Sequence, residues 1–162
     1  MTYHPTVKQI ISLLTEHECW FTTFEHEPTT TSEESANVRP EYTLHHGAKA
    51  MIVRVKISET NKKYVMLVFP GDHKFDRQKV QYFFEAKDVR LATPEEVGAQ
   101  TGGIQIGGVP PFGQLFGMEV IVDPSLLENE QMIFNAGDRC FSIAMRTADY
   151  KNLVHPVIAK MI

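Results

Sequence analysis

One stretch constrains this chain more than any other: Gly107-Gly108-Val109-Pro110-Pro111-Phe112-Gly113. Glycine supplies backbone angles and close approach that other residues forbid, while two consecutive prolines remove two N–H donors and freeze two φ angles. A loop of this composition is rigid. An ordinary connection needs one or two turn residues, so this concentration marks either a constrained crossing of the chain or a backbone shaped against a ligand.

The elements around the loop follow in order. Thr6 to His17 places Val7, Ile10, Ile11 and Leu14 at helical spacing, with Thr6 and Gln9 as a capping box. Cys19 to Glu25 alternates aromatic and threonine residues and reads as a strand, ended by Pro28. Thr31-Ser32-Glu33-Glu34 starts a short helix that stops before Pro40. In the strand from Ala50 to Ile57, Met51, Val53, Val55 and Ile57 share a face. Alternation puts Lys49 on that face too, so its ammonium either snorkels out of the core or meets an anion.

Tyr64 to Phe69 is apolar enough to be buried on both sides, and it pairs with the preceding strand as a hairpin. A helix starts at Asp76, and a short strand spans Lys87 to Ala92. Thr93-Pro94-Glu95-Glu96 is the clearest helix start in the chain, and Gly102-Gly103 ends that helix. Met118 to Asp123 is a strand. Met132 to Asn135 and Cys140 to Met145 flank Ala136-Gly137-Asp138-Arg139 as a hairpin, and a last helix runs from Thr147 to Leu153. This order predicts a single α+β domain over residues 1–162, with flanking helices around a mixed β-sheet curled toward a barrel.

Composition narrows the function classes. The 162 residues, 43% of them hydrophobic, suit one domain with a sizeable core. A net charge of −4, from 16 basic and 20 acidic residues, argues against wrapping duplex nucleic acid but leaves room for a local basic pocket for a strand end. No apolar run is long enough to span a bilayer and the N-terminus carries no signal pattern, so no membrane partner and a soluble, cytoplasmic protein are expected.

The two cysteines, Cys19 and Cys140, read as buried free thiols. The seven histidines show no metal-ligand spacing, and His45-His46 in a strand would point to opposite faces. His26 reads as a solvated loop histidine near a possible cleft. With no dinucleotide fingerprint, phosphate loop or nucleophile elbow either, neither a metal nor a cofactor is expected.

Four features in order then carry a resemblance: Glu27-Pro28 with the threonines and a Glu-Glu-Ser-Ala helix; Ala48-Lys49-Ala50 opening a strand; Leu91 to Val97 followed by Thr101-Gly102; and Gly107 to Gly113. Over nearly its whole length the sequence resembles the YbaK/prolyl-tRNA synthetase-associated editing domains, a family of free-standing and inserted aminoacyl-tRNA deacylases. The resemblance implies a mixed sheet with flanking helices. It also implies hydrolysis of the ester linking a wrong small amino acid to the terminal adenosine of tRNA. The partners it implies are the acceptor end of aminoacyl-tRNA and an aminoacyl-tRNA synthetase.

By position, Lys49 matches the family's pocket lysine, which contacts the phosphate or carbonyl at the aminoacylated end. Gly107 to Pro111 match its Gly-x-x-x-Pro loop, and Asn135-Ala136-Gly137 match a small-Ala-Gly turn that walls the pocket. Asp138-Arg139 follow where the alanine-editing branch has Gly-Ser-His, which counts against alanine specificity. The resulting catalytic set is Lys49 with the Gly107, Gly108 and Val109 amides. The substrate-lining set is Phe24, Thr29, Thr31, Pro110, Pro111, Phe112, Gly113, Ala136 and Gly137.

An aminoacyl ester is already activated, so its hydrolysis needs a positioned water and a stabilised oxyanion rather than a covalent nucleophile. No side chain is expected to serve as an obligatory general base; the substrate's own ribose hydroxyl assists in the family's proposed mechanism. Two other classes stay open on the sequence: a module that binds aminoacyl-tRNA or a synthetase without turnover, and a hydrolase of a small ester.

Overall fold

A computed structural model describes residues 2–28 and 42–162. Thr29, Thr31 and the helix expected from Thr31 lie outside the described residues. In chain order the elements are α1 (Pro5–Glu16), β1 (Phe21–Glu25), β2 (Ala48–Ser58), β3 (Asn61–Pro70), α2 (Arg77–Phe84), β4 (Asp88–Leu91), α3 (Pro94–Thr101), β5 (Val120–Val122), α4 (Pro124–Leu127), β6 (Gln131–Asp138), β7 (Phe141–Arg146), α5 (Thr147–Val154) and β8 (Val157–Ile158). Short 3-10 turns at Leu44–His46 and Gly113–Phe116 complete them.

The hairpin of β2 and β3 is the spine of a five-stranded mixed sheet, in the order β4-β2-β3-β5-β8, with β5 and β8 added in parallel. β3 reads as continuously apolar because both of its faces are covered. Met66 and Val68 enter one core, while Val65, Leu67 and Phe69 enter another. A second, antiparallel sheet has the order β1-β7-β6.

An isolated parallel bridge from Gly47 to Ile133 joins the two sheets. The architecture is the expected α+β domain, but its curl takes the form of two sheets meeting at that bridge, not a closed barrel. The larger core fills the space between the sheets, where Val7, Ile10 and Leu14 of α1 join Met132, Phe134, Ile143 and Met145. The smaller core packs Val80 of α2 against Val53, Val55 and Leu67. Among the described residues no helix is long and apolar enough to cross a membrane.

Local chemistry explains where the elements start and bend. α3 begins as expected: Glu96 N donates to Thr93 Oγ1 at 3.2 Å, and Thr93 N donates to Glu96 Oε1 at 2.9 Å. α1 does not. Its N-cap is His4, whose Nδ1 accepts from Thr6 N at 3.2 Å, and the Thr6 hydroxyl instead donates to the Ala136 carbonyl at 3.2 Å. The hairpin turn also falls later than the sequence suggested, because β6 continues through Ala136 and Gly137 to Asp138. A bulge between Asn135 and Asp138 absorbs the extra residues, with Gly137 at φ +110°.

Candidate active site

The glycine-proline stretch docks against β6 through its first two residues. Asn135 Nδ2 donates to the Gly107 carbonyl at 2.7 Å, and Gly137 N donates to the Gly108 carbonyl at 2.8 Å. Gly108 N turns inward, donating to the Gln105 carbonyl at 2.9 Å. Of the three amides expected to stabilise an oxyanion, Gly108 is therefore already committed. The N–H groups of Gly107 and Val109 meet no acceptor among the described residues.

The second part of the stretch serves another purpose. Pro110 and Pro111 are buried, and the Pro111 carbonyl accepts from Tyr150 Oη at 2.6 Å. Burial pushes the Tyr150 phenol far above its ordinary value, so it remains a donor. Phe112 is 0% exposed, with its ring centroid 5.4 Å from Phe134 and 5.5 Å from Tyr150. A Cβ on Gly113 would lie 2.6 Å from the Met118 carbonyl oxygen.

Phe112 and Gly113, expected to line the substrate, are buried and anchor the loop in the core. Ala136 is likewise 0% exposed. The α-carbon of Gly137 is covered by Thr6, whose hydroxyl would sit 1.6 Å from an added Cβ. These two residues hold the loop's floor.

A polar row crosses the neighbouring sheet. Directly paired residues of antiparallel strands point to the same side, and Phe24 pairs with Ser142, which pairs with Asn135. Since Asn135 spends its NH₂ on the Gly107 carbonyl, its carbonyl oxygen is left to accept from Ser142 Oγ at 2.9 Å. The same Ser142 Oγ lies 2.6 Å from His26 Nε2, while His26 Nδ1 donates to the Glu27 carbonyl at 2.8 Å.

His26 is thus tied to the glycine loop through Ser142 and Asn135, a connection that reading it as a solvated loop residue missed. It lies 116 positions from Ser142, and no local pattern marks such a pairing. Tyr42 closes one side of the row. Its ring meets Phe24 edge-on at 5.9 Å, and its hydroxyl donates to Gln131 Oε1 at 2.9 Å.

Lys49 lies across from Phe69 in the β2–β3 ladder, on the side of β2 away from Ala48 and Ala50. Its ammonium lies 5.6 Å from the Phe69 ring centroid and donates to the His73 carbonyl at 3.2 Å. The isolated bridge between Gly47 and Ile133 brings the start of β2, where Lys49 stands, beside β6, which carries Asn135. Cys19 and Cys140 are free and half-buried, and burial pushes both thiols above their ordinary value, away from nucleophilic thiolate.

With this geometry in place, residues 26–153 match the aminoacyl-tRNA editing domain. The chain belongs to that family. It is 30% identical over 152 residues to the Multifunctional Ser/Thr-tRNA deacylase ProXp-y of Escherichia coli K12, covering 93% of this chain and 89% of the relative. It is also 37% identical over 81 residues to the uncharacterized protein YwhH of Bacillus subtilis, half of each chain.

Two solved structures share the fold. One, a candidate trans-editing enzyme for prolyl-tRNA synthetase, matches with a TM-score of 0.79 at 21% identity, over 99% of this chain and 98% of that one. The other, hypothetical protein APE2540, has a TM-score of 0.80 at 21% identity, over 94% and 98%. The activity of this editing domain is hydrolysis of the ester in aminoacyl-tRNA.

Proposed function

We propose that this editing domain removes a small hydroxyl amino acid, serine or threonine, from the acceptor end of tRNA, with the ester carbonyl held at the Gly107–Val109 backbone. The observation that carries the reading is the division of labour in that backbone. The carbonyls of Gly107 and Gly108 are pinned to β6, while the amides of Gly107 and Val109 meet no acceptor among the described residues.

Backbone donors fixed in this way need no reorganisation when negative charge develops on the carbonyl oxygen, and removing one such donor typically costs about 10²–10³ in rate. In this reading Lys49 meets the terminal phosphate or the ester carbonyl, exchanging its present contact with the His73 carbonyl for the substrate. Phe24, half-buried on β1, supplies apolar wall.

The polar row favours a hydroxyl amino acid. Asn135 and His26 are half-buried beside the loop, and a site built to hydrogen-bond a substrate hydroxyl discriminates far better than an apolar pocket, which gains only about 1–3 kcal/mol per methylene. The identity to the Ser/Thr-tRNA deacylase over 93% of this chain points the same way. Arg139, whose Cγ lies 3.5 Å from where a Gly108 Cβ would stand, fills a place beside the loop in keeping with the departure from the alanine-editing pattern.

The test is deacylation of tRNA charged separately with serine, threonine, alanine, cysteine and proline, by wild type and by Lys49→Ala. Fast release of serine and threonine that collapses in the variant is expected. Equal release of alanine would overturn the specificity, and unchanged release by Lys49→Ala would overturn the placement of the site.

A further inference from the structure

Outside the loop and the polar row, three metal-binding side chains converge from segments that the sequence keeps apart. His45 sits in the 3-10 turn Leu44–His46, and Asp72, 27 positions from His45, follows β3 together with its neighbour His73. His45 Nδ1 lies 3.1 Å from each Asp72 carboxylate oxygen, and His73 Nε2 lies 3.7 Å from Asp72 Oδ1. One donor atom from each residue lies within 4.8 Å of the other two.

We propose that His45, Asp72 and His73 form a site for a zinc-class divalent cation, with three protein ligands and one open position. The donor set is two imidazoles and a carboxylate, which a borderline ion such as Zn²⁺ takes and the hard, oxygen-seeking Mg²⁺ does not. Ligands about 2.0–2.1 Å from a tetrahedral ion stand about 3.3 Å from one another. The His45–Asp72 and His73–Asp72 spacings of 3.1 and 3.7 Å lie on either side of that figure.

The backbone behind each ligand is already fixed. Asn129 Nδ2 donates to the His45 carbonyl at 2.9 Å, Lys49 Nζ donates to the His73 carbonyl at 3.2 Å, and Gly71 N donates to the Gly47 carbonyl at 2.8 Å. Little order remains to be imposed by the ion. With side-chain exposures of 39%, 36% and 46%, the three residues can load it without opening the fold. The Lys49–His73 contact places the site next to the lysine.

The experiment uses the full chain and Co²⁺ as a spectroscopic stand-in for zinc, followed by calorimetry with Zn²⁺. Wild type is expected to bind one ion and to give the visible absorption of a four-coordinate Co²⁺ site. Asp72→Asn and His73→Gln should each weaken binding at least about 100-fold, by comparison with the 10–100-fold that outer-shell changes alone cost. His155→Gln, at an exposed histidine elsewhere, should leave binding unchanged. Circular dichroism reports whether each variant folds, and the exposed ligands make that expected. Absence of stoichiometric binding, or equal affinity in Asp72→Asn, overturns the proposal.

Discussion

The two ends of the glycine-proline stretch both carry glycine and are held by different forces. At Gly107 and Gly108 the chain is pinned by hydrogen bonds from Asn135 and Gly137, and Gly107 is exposed. At Phe112 and Gly113 it is pinned by packing, with no surface left on Phe112. Polar pinning fixes backbone direction while leaving amides available, whereas packing fixes position and leaves nothing available. A rigid presenting segment needs both, and a substitution should reveal which end it strikes by whether turnover or stability suffers.

The largest effect is expected at the packed end. Phe112→Ala empties a ring site between Phe134 and Tyr150 and should cost about 3–5 kcal/mol in urea denaturation. A loss below about 1 kcal/mol would mean that the core closes around the gap and that Phe112 is no anchor. Gly107→Ala acts on the other end. Its φ of +91° is strained for any L side chain, so a stability loss of about 1–2 kcal/mol is expected. Deacylation should fall further, by about 100-fold, as the amide leaves its place. Stability and turnover falling in proportion would erase the distinction between the two ends.

How much of this was legible depended on how local the cause was. The start of α3 was written in four consecutive residues, Thr93 to Glu96, and the structure closes both hydrogen bonds of that box. The burial of β3 on both faces was legible for the same reason, since one strand's composition reports both of its neighbours. The N-cap of α1 was misread because Thr6, a good cap by type, is drawn away by the Ala136 carbonyl, 130 positions distant. The burial of Phe112 and Gly113 was not legible, because glycine and proline announce rigidity without saying which side faces water. The link from His26 to Asn135 and the convergence of His45 with Asp72 and His73 are properties of strand pairing and loop placement, which spacing along the chain does not encode.

The polar end can be divided further. Asn135→Ala removes the donor to the Gly107 carbonyl and leaves the buried Ser142 hydroxyl without its asparagine partner. The expected cost is about 1–3 kcal/mol, from an unmade bond at a desolvated group. Ser142→Ala made in the same chain should return part of that cost, because the hydroxyl that loses its asparagine acceptor is removed with it. A double-mutant cycle in urea measures the coupling. Additive losses would mean that His26, Ser142 and Asn135 do not act as one network.

The smallest effect tests the support behind both ends. Glu96, in the capping box of the helix that leads into the loop, is bonded by the Arg90 guanidinium, the Thr93 N–H and the Tyr64 hydroxyl. The Arg90 guanidinium, followed by the Thr93 N–H, holds its carboxyl well below the usual carboxylate range. A depressed carboxyl contributes stability that is present above its unfolded-state value and is lost as pH falls through the folded one. Glu96→Gln should therefore lower the urea midpoint most near neutral pH. Its deficit against wild type should shrink as pH drops below the ordinary carboxylate value of about 4.3. Arg90, Glu96 and the box lie on the solvent side of α3, so turnover should stay near that of wild type. If Glu96→Gln instead reduced deacylation as strongly as Gly107→Ala, the glycine end would owe its geometry to the helix before it rather than to Asn135 and Gly137. Pinning from β6 would then be secondary.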